Sequence, residues 1–275
     1  MAKTQIYQIY YDQETLGKVQ PGFIPLDNTE NKRPDWFEFW VIKNFLENNQ
    51  LLEDTWYGFL SPRFQEKTSI DSGALLGLFN SIDQDADVLL VDLGWDQIAY
   101  FRNPWEQGEI WHPGVQELTQ RFLDASGRNI RLDDLVTGST TAVFSNYIVA
   151  KKQYWLEWLA LAKDFFDFVE HGPDSAKSSQ LTNYRTASNT HPMKTFAQER
   201  FPSLILTQKP YRVAHMDHSD QAPMYEGLFP GDKQTRRLLQ ACNLLKVMYG
   251  VERDTTYLDM YSKLREHVRY KLSQA

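Results

Sequence analysis

The sequence predicts an α/β fold, a mostly parallel central sheet flanked by helices, with further helices closing the chain. Three observations carry that reading. Residues 4–11 (TQIYQIYY) alternate polar side chains with Ile and Tyr, the period of a strand. Residues 87–92 (DVLLVD) are a continuous apolar run bounded by acids, the pattern of a strand buried on both faces. Between them, apolar residues recur at helical spacing, so strands and helices alternate.

The elements follow in order. Residues 20–33 read as a Pro/Gly/Asn loop. Pro34 suits the first turn of a helix, and Trp36, Phe37, Trp40, Val41 and Phe45 carry it to about Asn48. Residues 55–60 (TWYGFL) read as a short strand ended by Ser61, Pro62 and Arg63. Residues 71–82 read as a helix capped by Asp71 or Ser72, and 115–126 as one stopped by Gly127. Residues 141–150 read as a second strong strand, leading into a helix with an aromatic stripe from Tyr154 to Val169. Residues 103–114 and the polar stretch 171–193 read as loops, the latter long enough to move. Residues 193–206 read as a helix interrupted by Pro202. Two helices, 232–249 with Gly250 as its stop and 254–272, end the chain. The division expected is a domain over 1–230 with a helical hairpin, 231–275, packed on it.

Composition narrows the class. The 275 residues are 42% apolar and 14% aromatic, which excludes disorder as a global description. With 36 acidic against 29 basic side chains and a net charge of −7, a nucleic-acid partner is not expected. Cys242 stands alone, so neither a disulfide framework nor a Cys-based zinc site is available. Its neighbours Leu238, Leu239 and Leu245 make it read as a small buried hydrophobe. No signal-peptide segment opens the chain, and no apolar run approaches the roughly 20 residues that span a bilayer. A cytoplasmic protein is expected. The G-x-S-x-G, Walker and G-x-G-x-x-G motifs are all missing from the sequence.

Four constellations can carry chemistry. In the loop from Asp27 to Asp35, Asp27, Asn28 and Asn31 suit a base or ribose, and Lys32 and Arg33 a diphosphate. The same residues also describe a solvated turn with a helix cap, the reading that the sequence alone favours. Asp92 and Asp96 follow the buried strand, where ligands of open α/β sheets sit, and can hold Mg²⁺ or Mn²⁺ on nucleotide phosphates. Their D-x-x-x-D spacing is also that of a plain strand-end turn. The 103–114 segment offers Trp105 and Trp111 for stacking on sugar rings, with Glu106, Gln107, Glu109 and His112 for hydroxyls. Its alternative is a packed surface loop. His215, Asp217, His218 and Asp220 have the types and spacing of metal ligands, or of a solvated loop.

Four segments in order carry a resemblance: residues 26–44 (LDNTENKRPDWFEFWVIKN), 56–64 (WYGFLSPRF), 144–155 (FSNYIVAKKQYW) and 197–206 (AQERFPSLIL). Together they resemble bacterial polysaccharide-biosynthesis glycosyltransferases with a GT-A fold, over roughly residues 4–215. The resemblance implies that Asp27, Asn28, Asn31 and Glu38 lie near a donor nucleotide, Arg63 near its phosphates, and Asn146 and Glu199 near sugar and acceptor. Ser61-Pro62 stands where such proteins carry a His-Tyr pair, and their metal-binding D-x-D is not in place. Glycosyl transfer needs a clamp on the departing diphosphate, a pocket for two sugars and, for inversion, a base. Arg63 with Lys32 or Arg33 suits the first and the 103–114 segment the second. Glu199, Asp92, Asp96 and His112 are the candidates for the third. The expected partners are a nucleotide-sugar and a glycan or lipid-linked glycan, with Mn²⁺ or Mg²⁺ as cofactor. A homodimer and association with the inner face of the membrane stay open. The alternatives are a non-catalytic carbohydrate-binding scaffold and a metal-dependent hydrolase built on His215–Asp220.

Overall fold

The computed structural model describes residues 3–83, 85–91, 94–184, 186–223 and 228–273. In chain order it comprises β1 (Lys3–Tyr10), α1 (Gln13–Leu16), β2 (Ile24–Asp27), α2 (Phe37–Asn48), β3 (Thr55–Leu60), α3 (Phe64–Thr68) and α4 (Ser72–Leu78). Next come β4 (Val88–Leu90), α5 (Trp95–Tyr100), α6 (Pro104–Trp111), α7 (Val115–Ala125), β5 (Ile148–Lys151), α8 (Lys152–His171) and α9 (Ser175–Ser178). Then follow β6 (Leu181–Tyr184), β7 (Thr186–Pro192), α10 (Met193–Gln198), α11 (Phe201–Gln208), β8 (Val213–His215), α12 (Lys233–Glu252) and α13 (Thr256–Ser273).

Six strands form one sheet in the order β2-β1-β3-β5-β4-β8. β5 is antiparallel to both its neighbours, and the other pairs are parallel. The period-2 pattern of each strand divides its side chains between two cores. Ile9, Tyr57, Phe59, Val88 and Leu90 face the larger one, among helices that include α2, α7 and α8. Ile6, Trp56, Leu60, Leu89 and Val91 face the smaller one, with Phe64, Leu75 and Phe79. Both faces are covered, which is why residues 87–92 carry an unbroken apolar run. Gly58 sits where β1, β3 and β5 crowd, since a Cβ there would lie 3.0 Å from Val149. The aromatic stripe of α8 is core as expected: Tyr154, Trp155, Trp158 and Phe165 are almost fully buried. Each apolar side chain sealed in this way contributes roughly 1.5–3 kcal/mol.

Several boundaries differ from expectation. The expected strand 141–150 shrinks to β5, because turns bind Thr141 and Ala142 to the Gly138 carbonyl and Val143 N–H to Ser203 Oγ (2.8 Å). The expected loop 103–114 is mostly α6: Asn103 accepts from the backbone N–H groups of Trp105 (3.0 Å) and Glu106 (2.9 Å), and Pro104 opens the first turn. The stretch 171–193 holds α9 and the antiparallel hairpin β6–β7. Pro202 begins α11 instead of interrupting a helix. The helix expected over 71–82 ends as α4 at Leu78. Gly250 lies inside α12, whose cap is the left-handed Arg253.

The terminal helices α12 and α13 pack on each other and on α5, with Leu239, Cys242, Tyr261 and Val268 against Trp95 and Ala99. Burial raises the Cys242 thiol to about 11, as befits an inert hydrophobe. The buried Lys246 ammonium donates to the carbonyls of Ile98 and Phe101 at the end of α5, and burial lowers its pKa to about 7. Among the described residues no helix is long and apolar enough to cross a membrane.

Candidate functional site

Ligands of an open α/β sheet collect beyond the carboxyl ends of the strands, where the chain reverses its direction of travel across the sheet. Here the chain passes from β1 to β2 on one side and returns to β3 on the other, so the switch lies between β1 and β3. Tyr11 follows β1, Asn28 follows β2, and Ser61 to Arg63 follow β3. Because β5 runs the opposite way, Asn146 and Tyr147 precede it at this same edge. Val91, at the end of β4, donates its N–H to the Tyr147 carbonyl at 3.1 Å.

Tyr147 is the centre of the group. Its hydroxyl lies 3.1 Å from Ser61 Oγ, and the Phe64 ring meets it edge-on at 5.3 Å. Lys67, one turn beyond Arg63, holds its ammonium 5.9 Å from the Tyr147 ring and 5.8 Å from that of Tyr184 on β6. Burial works against that charge, but Tyr147, Tyr184 and Glu199 outweigh it and raise the Lys67 pKa above the ordinary lysine value. Burial, with Glu38 adding to it, raises the Tyr11 phenol. Burial likewise raises Tyr147, which feels Lys67, Glu38 and Glu199 together. His191 of β7 stacks edge-on against Phe37 (4.9 Å) and Tyr184 (5.0 Å), and burial lowers its pKa. Asn146 Nδ2 donates to Gln198 Oε1 at 3.3 Å, tying β5 to the end of α10 just before Glu199. Directly before Glu38, Phe37 adopts φ 48° and ψ −138°, a conformation costing a bulky residue about 1–3 kcal/mol.

Thus Glu38, Asn146 and Glu199 come together, and Tyr11, Lys67, Tyr147, Tyr184 and His191 join them without having been singled out in the sequence. Two of the additions had a signal: Tyr147 adjoins Asn146, and Lys67 repeats the position of Arg63 after one helical turn. Arg63 itself is exposed at the rim and forks onto Glu66, its Nε 2.9 Å from Oε2.

The remaining sequence candidates occupy other roles. Asp27 is exposed and accepts from Thr29 N–H at 2.8 Å. Asn28 and Asn31 hydrogen-bond each other at 3.4 Å, with Asn31 left-handed at φ 37°. Lys32 is exposed and pairs with Glu30 at 2.8 Å. Arg33 belongs to an ion-pair network with Asp35 and Glu170. Trp105 is fully buried and offers no ring face to a sugar. Gln107 is bonded to Gln97 (2.7 Å) and to Arg200 (2.9 Å), whose guanidinium also donates to the carbonyls of Pro104 and Phe196. His112 stacks on Phe196 at 3.6 Å, and burial followed by the nearby Arg200 charge lowers its pKa to about 3. Trp111 is half-buried, its carbonyl 3.5 Å from Thr182 Oγ1. This segment therefore packs as a wall behind the β6–β7 hairpin.

Asp96 is fully buried in α5, and Asp92 lies outside the described residues. Among the described residues, no three His, Cys, Asp or Glu side chains group as a metal ion requires, and His215, Asp217, His218 and Asp220 are included in that statement. The chain matches no protein-family model, no curated protein and no solved structure.

Proposed function

We propose that the protein is a glycosyltransferase of GT-A-like architecture, moving a sugar from a nucleotide-sugar to a glycan hydroxyl in the synthesis of a surface polysaccharide. The observation that carries this reading is the meeting of Glu38, Lys67, Asn146, Tyr147 and Glu199 from separate elements beyond the carboxyl edge, at the β1–β3 switch. Two carboxylates, a half-buried ammonium and several phenols supply the base and the charge stabilisation that transfer from a diphosphate to a hydroxyl requires. The Lys67 ammonium opposes the negative charge that grows on the diphosphate as its bond to the sugar breaks. The Glu199 carboxylate accepts the acceptor's hydroxyl proton while that oxygen bonds to the sugar carbon, and the nucleoside diphosphate departs with the electron pair. Tyr11 and Asn28, at the ends of β1 and β2, flank the side where the nucleoside would lie. Asp92 stays a candidate ligand for a divalent ion on its sequence position alone.

The test is a panel of UDP-, GDP-, CMP- and dTDP-sugars. One donor class is expected to stabilise the fold, by about 2.7 kcal/mol at a hundredfold excess over Kd, and to be hydrolysed slowly without acceptor. A panel that gives neither stabilisation nor turnover removes the proposal.

A further inference from the structure

A second space opens on the other side of the β4 end from Tyr147. It is a cavity of about 240 Å³ between the ends of β4 and β8, α5 and the terminal helix α12. Its floor is apolar, made by Leu90, Trp95, Ile98 and Met216. Its rim is polar, made by Ser139, Asp217, Ser219, Gln240 and Asn243. The rim groups hold one another in place. Asn243 Nδ2 donates to Ser139 Oγ (3.1 Å), Ser139 N–H donates to Asn243 Oδ1 (2.9 Å), and Gln240 Nε2 donates to Ser219 Oγ (3.1 Å).

Three properties define what would fit. First, Trp95 is only 9% exposed, and its Nε1–H has no hydrogen-bond partner among the described residues. A buried donor left so costs about 1–3 kcal/mol, which a ligand oxygen would recover. Second, among the described residues the lining holds no lysine or arginine; its titratable groups are the Asp217 carboxylate and the imidazoles of His215 and His218. Ser219, through its backbone N–H at 2.9 Å and its side chain, lowers the Asp217 pKa, with His215 and His218 adding to the effect. The Asp217 carboxylate disfavours phosphates and uronates beside it and can accept hydrogen bonds from sugar hydroxyls. Third, a cavity of about 240 Å³ has room for a single pyranose ring. An apolar floor beneath a hydrogen-bonding rim is complementary to a pyranose, with its C–H face and hydroxyl edge.

We propose that this cavity seats a single neutral sugar unit of the acceptor, held by Trp95, Asp217 and Gln240, so that the C-terminal hairpin helps select the glycan extended. The role of acceptor rests on the glycosyltransferase reading; the binding of a neutral sugar does not. The position suits both. Met216 N–H bonds to the Leu90 carbonyl (3.3 Å) on one side of β4, as Val91 N–H bonds to Tyr147 on the other. At about 4.8 Å per strand, cavity and charged cleft stand about 10 Å apart.

The experiment uses the full chain and saturation-transfer NMR with methyl glycosides of neutral hexoses and N-acetylhexosamines, against glucuronate and glucose 6-phosphate. At least one neutral glycoside is expected to bind. Its affinity should fall tenfold or more in Gln240→Phe, which fills the space, and about three- to tenfold in Trp95→Phe, which removes the N–H. Gln240→Leu repeats the test should the larger ring disturb α12. Failure of every neutral glycoside to bind, unchanged affinity in the folded Gln240 variants, or tighter binding of the charged sugars overturns the proposal. Cavity-dependent sugar binding in a protein that ignores every nucleotide-sugar would keep this site and remove the transferase reading. Donor turnover without any such binding would do the reverse.

Discussion

The start of α2 meets α10 in two clusters of charge, and the two are built differently. In the first, Arg33 forks onto Asp35 (3.0 Å for both bonds) and reaches Glu170 at 2.7 Å. Trp36 Nε1 donates to that same Glu170 oxygen at 2.9 Å. Lys194, 4% exposed at its side chain, pairs with Asp35 and lies 4.2 Å from the Trp36 ring. Two cations and two carboxylates cancel inside one hydrogen-bonded network. In the second, Glu38, Glu199 and the half-buried Lys67 all act on Tyr147, and Glu199 acts on Lys67, among tyrosine rings beyond the strand ends. The first cluster fastens the loop before α2 to α8 and α10. The second gathers its charged groups around the Tyr147 ring beyond the strand ends. Nearness of opposite charges alone therefore does not mark a site; what separates the two is their place, the first joining α2, α8 and α10 and the second lying beyond the strand ends.

The largest expected effects test that contrast directly. Glu199→Gln should lower kcat by about 10²–10⁴-fold while leaving the urea midpoint almost unchanged. Lys194→Met should do the opposite. Removing one partner of a fully buried pair costs 3–5 kcal/mol. Here Asp35 and Glu170 keep 40% and 25% side-chain exposure, so about 2 kcal/mol is expected, with turnover per folded molecule within a few-fold. Loss of turnover in the second variant and of stability in the first would reverse the assignment of the two clusters.

Next in size is Lys67→Met. A charge-assisted hydrogen bond to a diphosphate contributes about 1.5–3 kcal/mol, so kcat/KM for the donor should fall about ten- to a hundredfold. Arg63→Met is the control at the rim, exposed and already paired with Glu66, and should cost no more than a few-fold. Equal losses in the two would show that the diphosphate lies over the rim instead of in the cleft.

How far the sequence reaches is clear from the same residues. Strands β1, β3 and β4 were legible because their periods are set by the two buried faces, whereas Glu38, Asn146 and Glu199 enter as candidates through the four segments that carry the resemblance. The helical character of 104–111 was also written locally, in Asn103 as cap and Pro104 at the first position, but its indoles drew attention to sugars instead. Trp105 shows why composition misleads there: the same ring that stacks on a sugar also fills a core, and only the fold decides. Lys67 with Glu199, and Asn146 with Gln198, meet across long stretches of chain through sheet order and the β6–β7 hairpin. No local period encodes those meetings. Thr182 to Thr190 read as a polar loop because a hairpin standing off the main sheet buries little and so lacks a clear apolar face.

The smallest effect sharpens the comparison by separating the cleft from its wall. His112 is kept neutral in the fold, its pKa lowered to about 3 by burial and by Arg200, against an unfolded value near 6.5. Above pH 6.5 both states hold it neutral, and its contribution to stability is complete. As the pH falls below 6.5 the unfolded chain binds a proton that the folded one refuses, so stability drops by about 1.4 kcal/mol per pH unit until about pH 3. Between pH 7.5 and 5.5, His112→Gln should therefore lose about 1.4 kcal/mol less than the unaltered protein in urea titrations. The variant also keeps a side-chain amide at the position from which the ring reaches the Asn183 backbone. An identical pH slope in both proteins would mean that the ring leaves Phe196 and titrates in water, and that the wall behind the hairpin is looser than its stacked geometry implies.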